Sequence, residues 1–166
     1  FRWQAGKVVE SYWIVVMLYF MRQAKCYPRT LTPPRGLTDR VPPPPFGAGI
    51  SQAPRSAEAA QKSLRCVEAM IAGLMSYDQK TLESMGMERF WHPEMMWYGP
   101  GGIGTSRRLK GFQDVHQRAF LNAFPDRVGG DHKCRVGDGE FVASTGWPSV
   151  RATHRASWLG ASATND

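Results

Sequence analysis

Histidine is the side chain best suited to move a proton at neutral pH, and the chain carries four of them. They are His92, His116, His132 and His154. No two have the HxH or HExxH spacing of a metal site, so metal binding is not expected. Their chemistry would be general acid–base catalysis, in which an imidazole takes a proton from the substrate or returns one. The competing interpretation of each is a hydrogen-bonded histidine in the core.

Strand alternation singles out two of these histidines as candidate catalytic residues. On one predicted strand, His132 shares a face with Cys134 and Val136, while the charged residues between them take the other face. On a later predicted strand, His154 shares a face with Val150 and Ala152. Both imidazoles are therefore expected on an apolar face that looks into a cavity.

Other residues are better candidates for lining a pocket than for catalysis. His116 lies on the apolar face of a predicted helix and His92 at the entrance of a strand, and a structural role is favoured for both. Large aromatic side chains pack in cores more often than they line sites, but an enclosed pocket improves their chance of facing a ligand. The pocket-lining candidates are Trp97, Tyr98, His116, Phe120 and Trp147.

The elements that would position these residues lie in the block 57–166. Apolar residues at helical spacing predict an amphipathic helix over 57–76, with Ser56 as its N-cap. Asp78 can cap a second, shorter helix that ends near Gly86.

Beyond that point the predicted elements alternate. They are a strand at 95–98, a glycine-rich turn, a helix at 112–124 ended by Pro125, and strands near 131–136, 140–146 and 150–154. The sequence Gly137-Asp138-Gly139 is a strong hairpin signal between two of these strands. This order predicts an α+β fold in which a curved antiparallel sheet wraps three helices.

Two blocks of different composition precede the globular one. Residues 1–27 are apolar and aromatic, and a turn at 4–7 followed by a β-rich run at 8–16 predicts a hairpin. Residues 28–56 form a Pro/Gly-rich linker whose four consecutive prolines favour an extended chain. The apolar run 12–21 is too short for a membrane span, which needs about 20 residues, so we interpret it as a buried strand leading into a helix.

Charge and cysteine content bound the possible partners. The net charge is +7, but the basic residues do not form a stripe or patch, so nucleic-acid binding is not expected. The three cysteines, Cys26, Cys66 and Cys134, are odd in number and scattered, which argues against a disulfide framework and against structural zinc. Free thiols in the cytoplasm are the expectation.

Seven short motifs of the last block form a set. They are HPEMMWYGPGGIG from His92, KGF from Lys110, AFL from Ala119, AFPDR from Ala123, GDH from Gly130, GWPS from Gly146 and ATH from Ala152. Together they resemble the pattern of the SnoaL-like polyketide cyclases. The resemblance implies the cone fold of nuclear transport factor 2, in which a bent sheet and its helices enclose a deep pocket. It also implies intramolecular aldol condensation of a hydrophobic carbonyl compound, without metal or organic cofactor.

The first block resembles the end of the same fold, with its last strands and closing helix placed before the beginning. One interpretation is a fragment of a tandem-domain protein, in which 1–27 ends a first domain and 57–166 begins a second that is incomplete at its C-terminal end. The other is that the first block folds back to complete the sheet, as in a circular permutant. The family's acid/base aspartate aligns with Val16 in the first copy, and its equivalent in the second would lie beyond Asp166.

Two classes of function therefore stay open. The first is a cofactor-free cyclase, or a related isomerase, lyase or hydrolase, and the second is a non-catalytic binding or dimerisation module of the same fold. The expected partners are a hydrophobic small molecule and either a second copy or a tandem domain. Neither nucleic acid nor membrane is expected as a partner.

Overall fold

The computed structural model describes residues 2–10, 21, 24–26, 56–100, 102–129, 134–145 and 150–159. Over these residues the chain has a mixed α+β fold with two helices, and all of its paired strands are antiparallel, which confirms the predicted class. The described strands form four separate two-stranded sheets. No helix of the described residues has the length and apolar character needed to cross a membrane.

The first helix, α1, runs from Ala57 to Met75 as the apolar periodicity predicts. Ser56 caps it, because its side-chain oxygen accepts the backbone N–H of Ala59 at 3.2 Å. Glu58 lies in the first turn, where its negative charge is favourable to the helix dipole.

The predicted second helix is instead a turn followed by two short 3₁₀ segments, Leu82–Met85 and Met87–Arg89. The Asp78 carboxylate accepts the backbone N–H groups of Lys80 and Thr81, each at 2.8 Å, so it closes a local turn rather than capping a helix. The glycine between the two 3₁₀ segments has a φ of 59° and interrupts helical propagation.

The second helix, α2, is continuous over three segments of different winding: Arg108–Phe112 (α), Gln113–Gln117 (π) and Arg118–Ala123 (α). The sequence predicts a helix over 112–124, so α2 begins four residues earlier than expected. The wider π turn at its centre was not predicted.

The strands in chain order are β1 Arg2–Gln4, β2 Lys7–Glu10, β3 Met96–Tyr98, β4 Thr105–Arg107, β5 Val128–Gly129, β6 Cys134–Asp138, β7 Phe141–Thr145 and β8 Val150–Arg151. The hairpin turn at Ala5 and Gly6 is confirmed. The hairpin β6–β7 is confirmed too, but its turn lies at Gly139 and Glu140, whereas Gly137 and Asp138, predicted as turn residues, belong to β6. The short strands β4 and β5 were not predicted. The linker 28–55 and the continuation of the first-block strand over 11–16 lie outside the described residues.

The hairpin β6–β7 packs on α1 through its glycine face. A Cβ atom on Gly137 would lie 2.8 Å from the Ala60 carbonyl oxygen and 3.0 Å from Leu64 Cγ. On the opposite face Cys134 is exposed and Val136 is 58% exposed, so the prediction that this face turns inward is wrong for these two residues. The backbone of β6 can approach α1 closely at Gly137 because this residue has no side chain.

The core forms where the 3₁₀ segments meet both helices. Its buried apolar members are Leu82, Met85, Met87 and Leu121, and partly buried apolar side chains from α1 and α2 pack around them. The 3₁₀ segments come close to α1 at Gly73, where a Cβ atom would lie 2.8 Å from the Met85 carbonyl oxygen.

A pair of glycine substitutions tests this packing. Gly73→Ala should destabilise the fold by about 1–3 kcal/mol, because its Cβ atom would collide with the Met85 carbonyl and with Met87 Cε, 2.9 Å away. Gly111→Ala places its Cβ atom 3.5 Å from the nearest neighbour, so the gain in helix propensity should stabilise the fold by up to about 1 kcal/mol. Urea unfolding of both variants measures the difference, and a Gly73→Ala variant at least as stable as the unaltered chain would contradict the close approach at Gly73.

Candidate functional site

A half-open cavity of about 230 Å³ lies between α1, α2 and the pair β5–β8. Most of its wall is apolar, and three polar side chains, His116, Gln117 and Arg127, interrupt it. Met75 and Val150 remain 37% and 50% exposed at its edge. The described lining residues are Ile71, Leu74, Met75, Phe112, His116, Gln117, Phe120, Leu121, Arg127, Gly129 and Val150.

The π turn of α2 supplies two of the three polar side chains. Phe112, His116 and Phe120 follow at steps of four residues and share the cavity face of the helix. The wider turn also brings Gln117, the next residue, to the same wall. Single π turns within α-helices are frequent at functional sites.

The imidazole of His116 is held in a stack of aromatic rings. Its centroid lies 4.9 Å from the ring of Trp97, 5.2 Å from that of Phe120 and 5.5 Å from that of Trp158. Burial, assisted by the charge of Arg127, lowers the pKa of His116 to about 4, so the ring is neutral at pH 7. Its buried Nδ1 atom has no hydrogen-bond partner in the described structure.

Gln117 is buried, with only 3% of its surface exposed. Its side-chain Nε2 donates to the Met85 sulfur at 3.7 Å. The buried Oε1 atom finds no donor among the described residues. The amide therefore presents an acceptor that a ligand can satisfy.

Arg127 places its guanidinium at the cavity wall. Its Nη2 donates to the Leu74 carbonyl oxygen at 2.7 Å and to the Met85 sulfur at 3.7 Å, and the group lies 5.8 Å from the centroid of the Tyr77 ring. Burial lowers the pKa of Arg127, but a guanidinium remains protonated at neutral pH. The cavity therefore carries a fixed positive charge.

The arrangement can bind an oxygen atom and stabilise negative charge on it. A cation and a neutral imidazole at an apolar wall form the kind of environment in which charge on a substrate oxygen is stabilised more strongly than in water. No aspartate or glutamate belongs to the described part of the lining, so the described wall supplies no carboxylate base.

The predicted catalytic His154 lies beyond the end of its strand. The prediction of a strand over 150–154 was too long, because β8 ends at Arg151 and Thr153 instead donates its N–H and O–H to the Asp126 carboxylate at 2.9 and 2.6 Å. His154 stacks on Phe124 with 5.0 Å between centroids, and its buried Nε2 has no described partner. It is not among the described cavity-lining residues.

The other predicted site residues divide between the cavity and its surroundings. His116 and Phe120 line the cavity, and Trp97 backs the His116 ring from outside it. Tyr98 on β3 is 41% exposed and does not belong to the described lining. His132 and Trp147 lie outside the described residues, so the predicted meeting of His132 with His154 in one cavity stays a prediction.

Sequence reasoning missed Gln117, Arg127 and Trp158. Gln117 carried a signal, because it is a polar residue four positions before Leu121 on the buried side of a predicted helix. Arg127 follows the proline that ends the helix, a position typical of a solvent-exposed loop, and Trp158 belongs to no periodic pattern.

No metal centre is found in the part of the chain that the structure describes, where no three His, Cys, Asp or Glu side chains come together. The described cysteines Cys26, Cys66 and Cys134 are exposed free thiols.

Comparison with protein-family models gives no match, and comparisons with the curated proteins and with the solved structures give no significant match either. The resemblance to SnoaL-like cyclases therefore rests on the motifs quoted above.

The lowered pKa of His116 predicts that the fold loses stability as the pH falls. The pKa is about 4 in the folded chain and near 6.5 when unfolded, so unfolding takes up a proton between these values. The contribution is complete above about pH 6.5 and should fall by about 1–2 kcal/mol by pH 5.

Urea unfolding at several pH values from 7.5 to 5 measures the effect, in a range that avoids most carboxylate titration. His116→Phe should flatten the pH dependence, whereas His92→Phe, at an exposed position, should leave it in place. A His116→Phe variant that keeps the full dependence would show that another group is responsible.

Proposed function

We propose that the block 57–166 is a small-molecule-binding domain of the SnoaL-like cone type whose cavity takes a hydrophobic carbonyl compound. The observation that carries the proposal is the wall of the cavity, which is apolar except for His116, Gln117 and Arg127. An apolar pocket with a few convergent polar groups is typical of small-molecule sites. The motif resemblance supports the same type of fold and ligand.

The unpaired atoms in this wall favour a ligand that carries polar groups. Nδ1 of His116 and Oε1 of Gln117 are buried without a described partner, and a buried polar atom without a partner costs roughly 1–3 kcal/mol. A ligand that pairs with them recovers part of that cost. The volume of about 230 Å³ is below that of most ligand cavities, so the buried part of the ligand is compact.

Within this site we place cofactor-free acid–base chemistry of the aldol type. Arg127 and the neutral His116 ring stabilise the enolate oxygen that forms when a proton leaves the carbon next to a carbonyl. A neutral imidazole can act as such a hydrogen-bond donor when its pKa is lowered. His116 itself is a poor base because its pKa is about 4. The proton-accepting role therefore stays with the predicted catalytic residues, His132 and His154.

A binding domain without catalysis is the second candidate function. The observation in its favour is that the described lining contains no carboxylate and only one histidine, whose basicity burial suppresses. Binding needs only the apolar wall and the polar groups that orient a ligand, whereas aldol chemistry also needs a base.

Ligand binding and turnover together test the proposal. Calorimetric titration with an aromatic ketone such as indanone should show binding to the unaltered chain. Ile71→Trp fills the cavity and should weaken binding by about tenfold or more, because the larger ring takes the ligand's space. Val136→Trp adds the same ring on the exposed face of β6 and should leave binding unchanged. Equal binding by the two variants would contradict the proposed site.

The unaltered chain and the variant Arg127→Met are then assayed with a short diketone that can close by intramolecular aldol condensation, by following the absorbance of the enone product. Turnover that falls at least about tenfold in Arg127→Met supports the cyclase chemistry. Binding without turnover in the unaltered chain favours the non-catalytic function.

A further inference from the structure

The charge of Arg127 has no counter-ion in the described structure. Its contacts are the Leu74 carbonyl oxygen, the Met85 sulfur and the face of Tyr77, all of them neutral. The described ion pairs are elsewhere, on exposed side chains of α2 and of the segment before β3. Arg127 is half-buried, and even a charge partly withdrawn from water is stabilised by an opposite charge beside it.

The carboxylate nearest in sequence is engaged elsewhere. Asp126 precedes Arg127 directly, but its two oxygens accept the N–H and the O–H of Thr153 at 2.9 and 2.6 Å. These bonds lower the pKa of the Asp126 carboxyl and tie it to the segment after β8. Asp126 therefore stabilises the chain beside the cavity and does not neutralise the guanidinium within it.

The guanidinium also keeps donors free for a ligand. Both of its described hydrogen bonds use Nη2, so Nε and Nη1 have no acceptor among the described residues. Neither atom is among the buried side-chain atoms that lack a partner in the described structure. A carboxylate is the anion whose charge and geometry suit a guanidinium best when only one cation is present.

Met85 places a second polar group beside this charge. Nη2 of Arg127 and Nε2 of Gln117 each lie 3.7 Å from the same Met85 sulfur, so the two side chains are neighbours across one atom. The unpaired Oε1 of Gln117 needs a donor, and a hydroxyl or enol group close to a ligand carboxylate would supply one.

We propose that the ligand of this cavity is a hydrophobic monocarboxylate, with its carboxylate on Arg127 and its apolar body against Ile71, Leu74 and Phe120. The inference rests on the proposed function and narrows the ligand from carbonyl compounds in general to those that also carry a carboxylate, which binds Arg127 and leaves the His116 ring to stabilise the enolate oxygen. Arg127 is the cation of the described lining, which fits one negative charge better than two. The net charge of +7 favours the approach of an anion over long range.

Binding of a matched acid and amide to the unaltered chain tests whether the cavity prefers a carboxylate. Phenylpropionate and phenylpropanamide have nearly the same shape, and only the first is charged at pH 7.5. Calorimetric titration should show that the acid binds at least about tenfold more tightly than the amide. Equal affinities would overturn the carboxylate inference and leave the proposed pocket standing. Failure of both compounds and of the aromatic ketone would overturn the pocket as well.

Substitutions of two arginines test whether Arg127 is responsible for the preference for the acid over the amide. Arg127→Met should remove the discrimination between acid and amide, while Arg118→Met, which replaces an exposed arginine paired with Asp114, should retain it. Because Arg127→Met also loses the bond to the Leu74 carbonyl, Arg127→Lys serves as the second variant, and it should keep the preference for the acid at reduced strength. Unchanged discrimination in a folded Arg127→Met variant would overturn the assignment to Arg127.

Discussion

The buried thioether of Met85 links the core to the cavity. The residue is fully buried, its backbone carbonyl lies against Gly73 of α1, and its sulfur accepts from Gln117 and Arg127. The 3₁₀ segment can reach this depth because α1 has a glycine at the point of contact. A sulfur atom is a weak acceptor on a flexible side chain, so it can serve two donors of different geometry at once. The packing of the core and the orientation of two polar groups at the cavity thus depend on one side chain.

Burial divides the electrostatic roles at the cavity between two residues. Loss of water lowers the pKa of both His116 and Arg127, but only the histidine lies close enough to neutrality to lose its proton. The charge that stays on Arg127 in turn disfavours protonation of His116. The result is one fixed cation beside a neutral ring that can donate one hydrogen bond and accept another. In the proposed function, such a pair selects ligands by charge without competing for the same proton.

Local signals explain which parts of the fold could be predicted from the sequence. The N-cap of α1 and the β6–β7 hairpin depend on residues close together in the chain, and both formed, the cap at the predicted residue and the hairpin turn shifted toward Glu140. The direction of the hairpin faces was predicted wrongly, because apolar alternation gave no weight to Gly137, whose missing side chain allows the contact with α1. The strand predicted through His154 stopped early because the Asp126 side chain takes the backbone N–H of Thr153, a pairing across 27 residues.

The cavity shows more clearly that contacts between distant parts of the chain cannot be predicted from local sequence signals. The step of four residues from Phe112 to His116 to Phe120 is visible in the sequence, and it placed all three side chains on one face, two of them as pocket-lining candidates. The orientation of Arg127 depends on the Leu74 carbonyl, 53 residues away, and that of Gln117 on Met85, 32 residues away. The periodicity of a helix or strand predicts neither hydrogen bond, because each joins a side chain to an atom in a distant, preceding part of the sequence. A polar residue on an apolar face therefore marks a position where such a partner must exist, and only the folded chain shows which atom it is.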